Sequence, residues 1–251
     1  MLDEAITITF SERVENHAGM QMIGELAPVG FTRRDLHKTM QTFKNKNYKC
    51  NLYCLSNPSG DESEDGYILV IKKGTMAFDI DPDNLWHELR PLTWDTKAKM
   101  RGRVVNKHAR YNLCFSDFNQ DPDYEAGKGR IVSFSQLPRL NKIKQQLPDY
   151  FGKKASDLKA EGNYYYNNQT GIGFHGDTER RIVIAIRLGK TMPLYYNWYR
   201  YNEIVGSTFT VALSHGDIYC MSEKAVGTDW KSSSIYTLRH ATGAKEYTNI
   251  K

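Results

Sequence analysis

Residues 163–189 read NYYYNNQTGIGFHGDTERRIVIAIRLG, and this stretch decides the expected fold. Short runs rich in β-branched and aromatic residues begin here and follow one another to residue 240, with turn residues between them. Strands of this length and spacing are typical of an antiparallel sandwich or barrel. The predicted strands are Gly171–His175, Arg181–Gly189, Met192–Arg200, Ser207–Ser214, Asp217–Ser222 and Ser234–His240.

Two helices are predicted outside this β-rich part. The composition of residues 33–43 (Arg33–Phe43) favours a helix, with Thr32 as its N-cap. In residues 135–147, leucine and isoleucine recur at spacings of three and four, which predicts an amphipathic helix that ends at Pro148. We therefore expect an α+β, mainly β fold. A domain boundary is expected near residue 100, although no linker sequence marks it. Residues 1–100 would form a mixed α/β extension of unknown role, and residues 101–251 a β domain.

Composition bounds the classes of function. The 251 residues include 34 Lys and Arg against 29 Asp and Glu, a net charge of +5 that permits a polyanionic partner without requiring one. The apolar runs are short, which predicts no membrane span, and the N-terminus lacks the pattern of a secretory signal. Four cysteines show no zinc-binding spacing. We expect an intracellular protein, cytoplasmic or nuclear, in a reducing environment.

The motif that carries chemistry is His175-Gly176-Asp177. Residues two apart on a strand point to the same side, so an imidazole and a carboxylate would face one point. A third ligand would complete two histidines and one carboxylate, the set that holds non-haem Fe(II) with open coordination positions. A His-x-Asp pair alone is a weak signal, because it arises often by chance.

The surroundings of this pair strengthen it. Asn163-Tyr164-Tyr165 precedes the histidine by about a dozen residues, and Glu179 extends the pair to His-x-Asp-x-Glu. With these motifs, residues 100–251 resemble the AlkB-like branch of the 2-oxoglutarate/Fe(II)-dependent dioxygenase superfamily. The resemblance is specific over residues 163–180 and loose elsewhere.

The resemblance implies a double-stranded β-helix, or jelly-roll-like, core with flanking helices. It also implies Fe(II), 2-oxoglutarate as co-substrate and O2. A substrate C–H bond would be hydroxylated through a ferryl intermediate, with release of succinate and CO2. In this branch the substrate carbon is often a methyl group on a base of nucleic acid, so that hydroxylation leads to demethylation. By the same resemblance His175 and Asp177 bind the metal, Asn163 and Tyr165 bind 2-oxoglutarate, and Glu179 lies beside the metal pair.

Three residues are candidates for the third metal ligand. His240 ends a predicted strand and is preferred. His215 lies in a second His-Gly-Asp sequence that the family does not use for the metal. In a rival alignment Arg239 lies in the region that binds the co-substrate, and Glu223 would substitute as ligand.

The cation that should bind the distal carboxylate of 2-oxoglutarate is also unsettled. The family pattern places an arginine some distance after the third ligand, and none follows His240 in this sequence. The candidates are Arg239 and Lys245. Lysine would offer one salt bridge where arginine offers two parallel hydrogen bonds.

A basic segment lies at the start of the predicted domain. It contains Lys97, Lys99, Arg101, Arg103, Lys107 and Arg110, and as a phosphate-binding strip it would favour a nucleic acid or nucleotide substrate. The alternatives are the same chemistry on a free nucleoside, an amino acid or a protein side chain, or a non-catalytic β-sandwich binding module. The sequence has neither a phosphate-binding glycine loop nor a Gly-x-Ser-x-Gly motif.

Overall fold

A computed structural model describes residues 3–249. The described chain is mainly β with few helices, as expected from the sequence. The strands are β1 (Ala5–Ser11), β2 (Arg13–Glu15), β3 (Met22–Gly24), β4 (Cys50–Leu55), β5 (Gly66–Ile71), β6 (Lys97–Met100), β7 (Arg103–Asn106), β8 (Tyr111–Ser116), β9 (Ile131–Ser133), β10 (Lys159–Tyr165), β11 (Gly171–His175), β12 (Val183–Gly189), β13 (Met192–Arg200), β14 (Glu203–Leu213), β15 (Ile218–Met221) and β16 (Thr237–Gly243). The helices are α1 (Arg33–Asn45), α2 (Pro82–Leu89), α3 (Pro138–Phe151), α4 (Glu223–Val226) and α5 (Lys245–Thr248).

Two sheets make up most of the molecule. The larger has eight strands in the order β4-β5-β15-β12-β1-β10-β8-β9, and the smaller has four in the order β11-β16-β13-β14. Neighbouring strands are antiparallel except for the parallel pair β8 and β9. The hairpins β2–β3 and β6–β7 form separate two-stranded sheets.

The first strand lies inside the larger sheet. β1 pairs with β10 on one side and with β12 on the other, and β4 and β5 extend the same sheet beyond β15. The boundary predicted near residue 100 therefore does not separate two sheets. Without β1, the facing edges of β10 and β12 would leave their backbone N–H and C=O groups unpaired. Residues 1–100 are a structural part of the β-rich region and not an extension beside it.

Side chains along β1 alternate between the two faces of the larger sheet, so the strand contributes to the layers on both sides. Ile6, Ile8 and Phe10 belong to the apolar core on the face that α1, α2 and α3 cover. Thr7 and Thr9 point the other way, towards the smaller sheet. The molecule is thus layered as helices, larger sheet and smaller sheet.

The space between the two sheets is apolar at one end and open at the other. Val183 and Ala185 of the larger sheet pack with Leu194, Tyr196 and Trp198 of the smaller sheet in a second core. The remaining part of the gap is a cavity. None of the helices within residues 3–249 is long and apolar enough to cross a membrane.

The predicted helices differ in how well their ends were anticipated. Thr32 caps α1 as predicted, because its side chain accepts a hydrogen bond from the Asp35 N–H and the Asp35 carboxylate accepts one from the Thr32 N–H. The end predicted for α3 at Pro148 is wrong, since the helix continues to Phe151. Burial of Tyr150 and Phe151 against α1 offsets the hydrogen bond that the proline cannot donate.

Candidate metal centre and ligand cavity

A cavity of about 550 Å³ lies between the two sheets. On one wall, Thr7 of β1 stands in register with Asn163 of β10 and Arg187 of β12, so the three side chains share a face. On the other wall, His175 of β11 stands opposite its register partner His240 of β16. Polar side chains from both sheets therefore face one common cavity.

His175 and Asp177 lie where β11 ends. Only His175 belongs to the strand, and Gly176 makes the turn that follows. A Cβ atom at position 176 would lie 2.2 Å from the Gly227 carbonyl oxygen, so this turn requires glycine. The N–H of Asp177 donates to the Val226 carbonyl oxygen at 3.0 Å. The pair is held close together, with 3.4 Å between His175 Nε2 and Asp177 Oδ1, although only one member is on the strand.

His240 joins this pair from β16. Its Nε2 atom lies 4.0 Å from Asp177 Oδ2, and its ring centre is 4.5 Å from that of His175. One donor atom from each of the three residues lies within 4.8 Å of the others, as a common metal ion would need. The structure brings together the three residues that were preferred from the sequence.

The two alternative third ligands lie elsewhere. His215 accepts a hydrogen bond from the Gly189 N–H at 2.8 Å and lies 3.2 Å from Asp83 on the outer side of β12. Glu223 begins α4, where it accepts a hydrogen bond from the Gly30 N–H at 2.6 Å. Neither side chain lines the cavity.

The protonation states of the group suit a metal ion. Burial raises the pKa of Asp177, but the Arg180 guanidinium and a hydrogen bond with His175 outweigh burial and hold this pKa below its usual range. Burial, reinforced by the neighbouring His175, lowers the pKa of His240 to about 3. At neutral pH an ionised carboxylate therefore faces a neutral imidazole, and these are the forms that coordinate metals.

The donor set itself also fits. His175 Nδ1 lies 2.8 Å from the Gly173 carbonyl oxygen, and a hydrogen bond there orients the ring with Nε2 towards Asp177. Two imidazole nitrogens and one carboxylate are donors that first-row divalent ions accept. The residues present are thus compatible with such an ion.

Arg180 compensates the carboxylates around this group. It is 4% exposed, and its Nη2 atom lies 2.5 Å from Glu161 and 2.7 Å from Glu179, while Nε lies 3.7 Å from Asp177. Glu179, expected beside the metal pair, lines the cavity through this ion pair. These ion pairs restrict the orientation of the Asp177 carboxylate.

Asn163 and Tyr165, expected to bind the co-substrate, both line the cavity. The Asn163 side-chain oxygen accepts hydrogen bonds from Arg110 Nε at 2.5 Å and Asn112 Nδ2 at 2.8 Å. Tyr165 is buried, with its ring near the Arg187 guanidinium. The two side chains are in position to contact a ligand.

The structure does not bring Arg239 or Lys245 to the cavity. Adjacent residues of a strand face opposite sides, so Arg239 must point away when His240 points inward. Its guanidinium lies 4.2 Å from the centre of the Tyr199 ring and donates to Asn202 at 2.9 Å. Lys245 is exposed in the short helix α5. Neither is placed to contact a ligand beside the metal group.

Arg187 and Thr7 are among the cavity residues that sequence reasoning missed. Arg187 is 0% exposed and lies in the larger sheet among apolar residues of β12. A single charged residue inside an otherwise apolar predicted strand was the available signal. Thr7 carried no such signal, because its position depends on pairing with strands more than 150 residues away.

The basic segment divides into exposed and buried parts. Lys97, Arg101 and Arg103 are exposed on the β6–β7 hairpin, whose tight turn has Arg101 and Gly102 at φ +48° and +79°. Lys107, by contrast, is 9% exposed and donates to Asn16 and Asn112. Arg110 lines the cavity. The six cations are therefore not one continuous surface strip.

No protein-family model matches the sequence. The chain is similar to an uncharacterized protein of Acanthamoeba polyphaga mimivirus, with 49% identity over 251 residues that cover 98% of each chain. The name of that relative states no activity.

Proposed function

The chain belongs to one family with the uncharacterized mimivirus protein, and from its cavity we propose that it is an Fe(II)- and 2-oxoglutarate-dependent dioxygenase. The observation that carries this proposal is the group of His175, Asp177 and His240 on the wall of the cavity between the two sheets. Such a set occupies one face of an iron ion and leaves positions for a bidentate co-substrate and dioxygen. A volume of about 550 Å³ suits a small ligand.

The sheet arrangement supports a jelly-roll core. Four strands of the larger sheet, β15-β12-β1-β10, face the four strands β11-β16-β13-β14 of the smaller sheet. Eight strands in two facing sheets are what a jelly roll requires. In this proposal β1 supplies the eighth strand from the N-terminal part of the chain.

The protein groups would bind, orient and exclude water. When bound, iron with 2-oxoglutarate and dioxygen supplies the oxidation of a substrate C–H bond. His175, Asp177 and His240 would hold the ion, and Arg180 would keep Asp177 ionised and fixed in direction. The buried ring of Tyr165 would keep water from the co-substrate side of the cavity.

The iron proposal is tested by anaerobic titration with Fe(II) and 2-oxoglutarate, followed through the weak visible absorption of the iron chelate. The wild type should develop this absorption, and Asp177→Ala and His240→Ala should lose it because each removes a ligand. His215→Ala is the matched control, since this histidine lies outside the cavity, and it should behave as wild type. Loss in His215→Ala with retention in His240→Ala would refute the assignment of ligands.

For the substrate we propose a base in nucleic acid or a nucleotide, hydroxylated or demethylated. The exposed cations Lys97, Arg101 and Arg103 on the β6–β7 hairpin support it. The double variant Arg101→Glu/Arg103→Glu should bind nucleic acid more weakly, with a shallower salt dependence. A double variant of exposed lysines at the end of α1 and just after it, Lys44→Glu/Lys49→Glu, should retain binding. Equal binding by both double variants and the wild type would remove the hairpin from the proposal.

The second candidate is the same chemistry on a substrate without phosphate, such as a free nucleoside, an amino acid or a protein side chain. It is favoured by three carboxylates that line the cavity besides the proposed metal ligand Asp177, namely Glu15, Glu161 and Glu179. Like charges would repel a phosphate that entered this part of the cavity. Succinate release measured against methylated nucleic acids, nucleosides and amino acids separates the two candidates.

A further inference from the structure

Arg187 is a buried cation that has no carboxylate partner among residues 3–249. Its side chain is fully inside the molecule and lines the cavity. Among the contacts within residues 3–249, its Nη1 atom lies 3.4 Å from the Met192 sulfur, and its guanidinium lies 5.8 Å from the centre of the Tyr165 ring. Its Nε atom has no hydrogen-bond partner in that range. Neither a thioether nor an aromatic ring neutralises a full positive charge.

Burial of an unpaired charge is strongly unfavourable, and buried charges are ordinarily paired with an opposite charge. The cavity offers the route by which an anion can reach this guanidinium. A planar guanidinium with free N–H groups matches a carboxylate, which it can bind through two parallel hydrogen bonds.

Thr7 presents a second free group at the same place. It is the register partner of Arg187 across the β1–β12 pair, and its buried Oγ1 atom has no hydrogen-bond partner in the described part of the chain. Its hydroxyl can donate to an oxygen that Arg187 also contacts. β1 therefore adds a hydroxyl donor, Thr7, to a site whose positive charge comes from Arg187 of β12.

We propose that Arg187, assisted by Thr7, binds a carboxylate of the ligand that occupies the cavity. This rests on the proposed function for one point, that the carboxylate is the distal one of 2-oxoglutarate. The assignment moves the anion-binding role from Arg239 and Lys245 at the end of the chain to β12 and β1.

The arrangement suits a short dianion. Tyr219 lines the same cavity; burial raises its pKa, the charge of Arg187 lowers it and the charge of Asp177 raises it. The cation and the candidate metal centre are thus within electrostatic reach of one side chain. A five-carbon oxo-diacid could meet the metal at one end and Arg187 at the other.

The test is calorimetric binding to the full chain loaded anaerobically with Mn(II), which does not turn over. The probes are 2-oxoglutarate and 2-oxopentanoate, which has a methyl group in place of the distal carboxylate. Wild type should prefer 2-oxoglutarate, and Arg187→Gln should weaken it at least about 30-fold without changing 2-oxopentanoate. Thr7→Val should give a smaller loss of the same selectivity. Arg239→Gln and Lys245→Gln are matched controls and should bind as wild type.

The outcomes separate this inference from the proposed function. If Mn(II) binds and the affinity for 2-oxoglutarate is the same in wild type and Arg187→Gln, the inference is overturned and the dioxygenase proposal stays in place. If Mn(II) does not bind but 2-oxoglutarate binding still depends on Arg187, the inference is supported and the dioxygenase proposal is defeated. Failure of wild type to bind any of these carboxylates overturns the inference. If Arg187→Gln does not fold, Arg187→Lys replaces it and should show an intermediate loss, because it keeps the charge without the fork.

Discussion

Two arginines lie in the walls of one cavity, and their surroundings are opposite. Arg180 contacts three carboxylates, those of Asp177, Glu161 and Glu179. Arg187 is buried more completely and has no carboxylate in contact among residues 3–249. The first is compensated by the protein, so its charge serves the structure around it. The second has free hydrogen-bonding capacity, so its charge is available to a ligand.

The largest effect should follow removal of the compensated arginine. Arg180→Met leaves buried carboxylates without their cation, and loss of one partner of a buried pair costs about 3–5 kcal/mol. Urea unfolding of the metal-free protein measures this loss. The exposed Arg200 provides a control, and Arg200→Met should change the free energy of unfolding by no more than about 0.5 kcal/mol. Equal stability of the two variants would show that Arg180 does not hold the carboxylates in place.

A smaller effect on the free energy of unfolding should come from Glu15, one of the excess carboxylates near Arg180. Burial, with repulsion from Glu179 and Glu161, raises the pKa of Glu15 from 4.5 to about 7. A pKa raised by folding contributes stability that is complete below pH 4.5 and is lost as pH rises through 7. Between pH 5 and pH 8 the wild type should therefore lose stability relative to Glu15→Gln, by on the order of 2 kcal/mol. Unfolding at several pH values tests this.

The exposed Glu25 lies near Glu15 in the sequence and supplies the control for that experiment. Because Glu25 is exposed, Glu25→Gln should change the free energy of unfolding by no more than about 0.5 kcal/mol at each pH. A difference between wild type and Glu15→Gln that does not change with pH would mean that Glu15 is ionised throughout and that the Arg180 side carries no excess of carboxylates.

The smallest effect, and the one of opposite sign, should come from Arg187. Methionine has a similar length and removes a buried charge that the protein does not compensate, so Arg187→Met should raise the unfolding free energy of the ligand-free protein by about 1 kcal/mol. The same variant should lose stabilisation by added 2-oxoglutarate in thermal unfolding. A loss of stability as large as that of Arg180→Met would make the two arginines equivalent.

The sequence predicted the local features of the site better than its long-range ones. The bounds of β11 and β13 agree with the prediction, and His175, Asp177 and His240 were named from spacing and resemblance. The outward direction of Arg239 follows from strand alternation once His240 faces inward. The same alternation argument, applied to the preferred ligand, would have removed Arg239 from the cavity.

The position of β1 could not be read in the same way. Its sequence reads as an ordinary strand, and nothing local states that its partners are β10 and β12. The roles of Thr7 and Arg187 follow from that pairing, so they became visible only in the fold. For the same reason the sequence did not show that residues 1–100 contribute β1, β4 and β5 to the larger sheet.

The central place of β1 also has a consequence for protein synthesis. Ala5 pairs with both Tyr165 and Gly189, so β1 has no complete set of partners until most of the chain has been translated. At translation rates of about 5–20 residues per second, this strand waits on the order of ten seconds after it leaves the ribosome. Its apolar face, with Ile6, Ile8 and Phe10, remains exposed during that interval. The nascent chain should therefore depend on chaperone binding to residues 5–11, although they are among the most deeply buried residues of the finished protein.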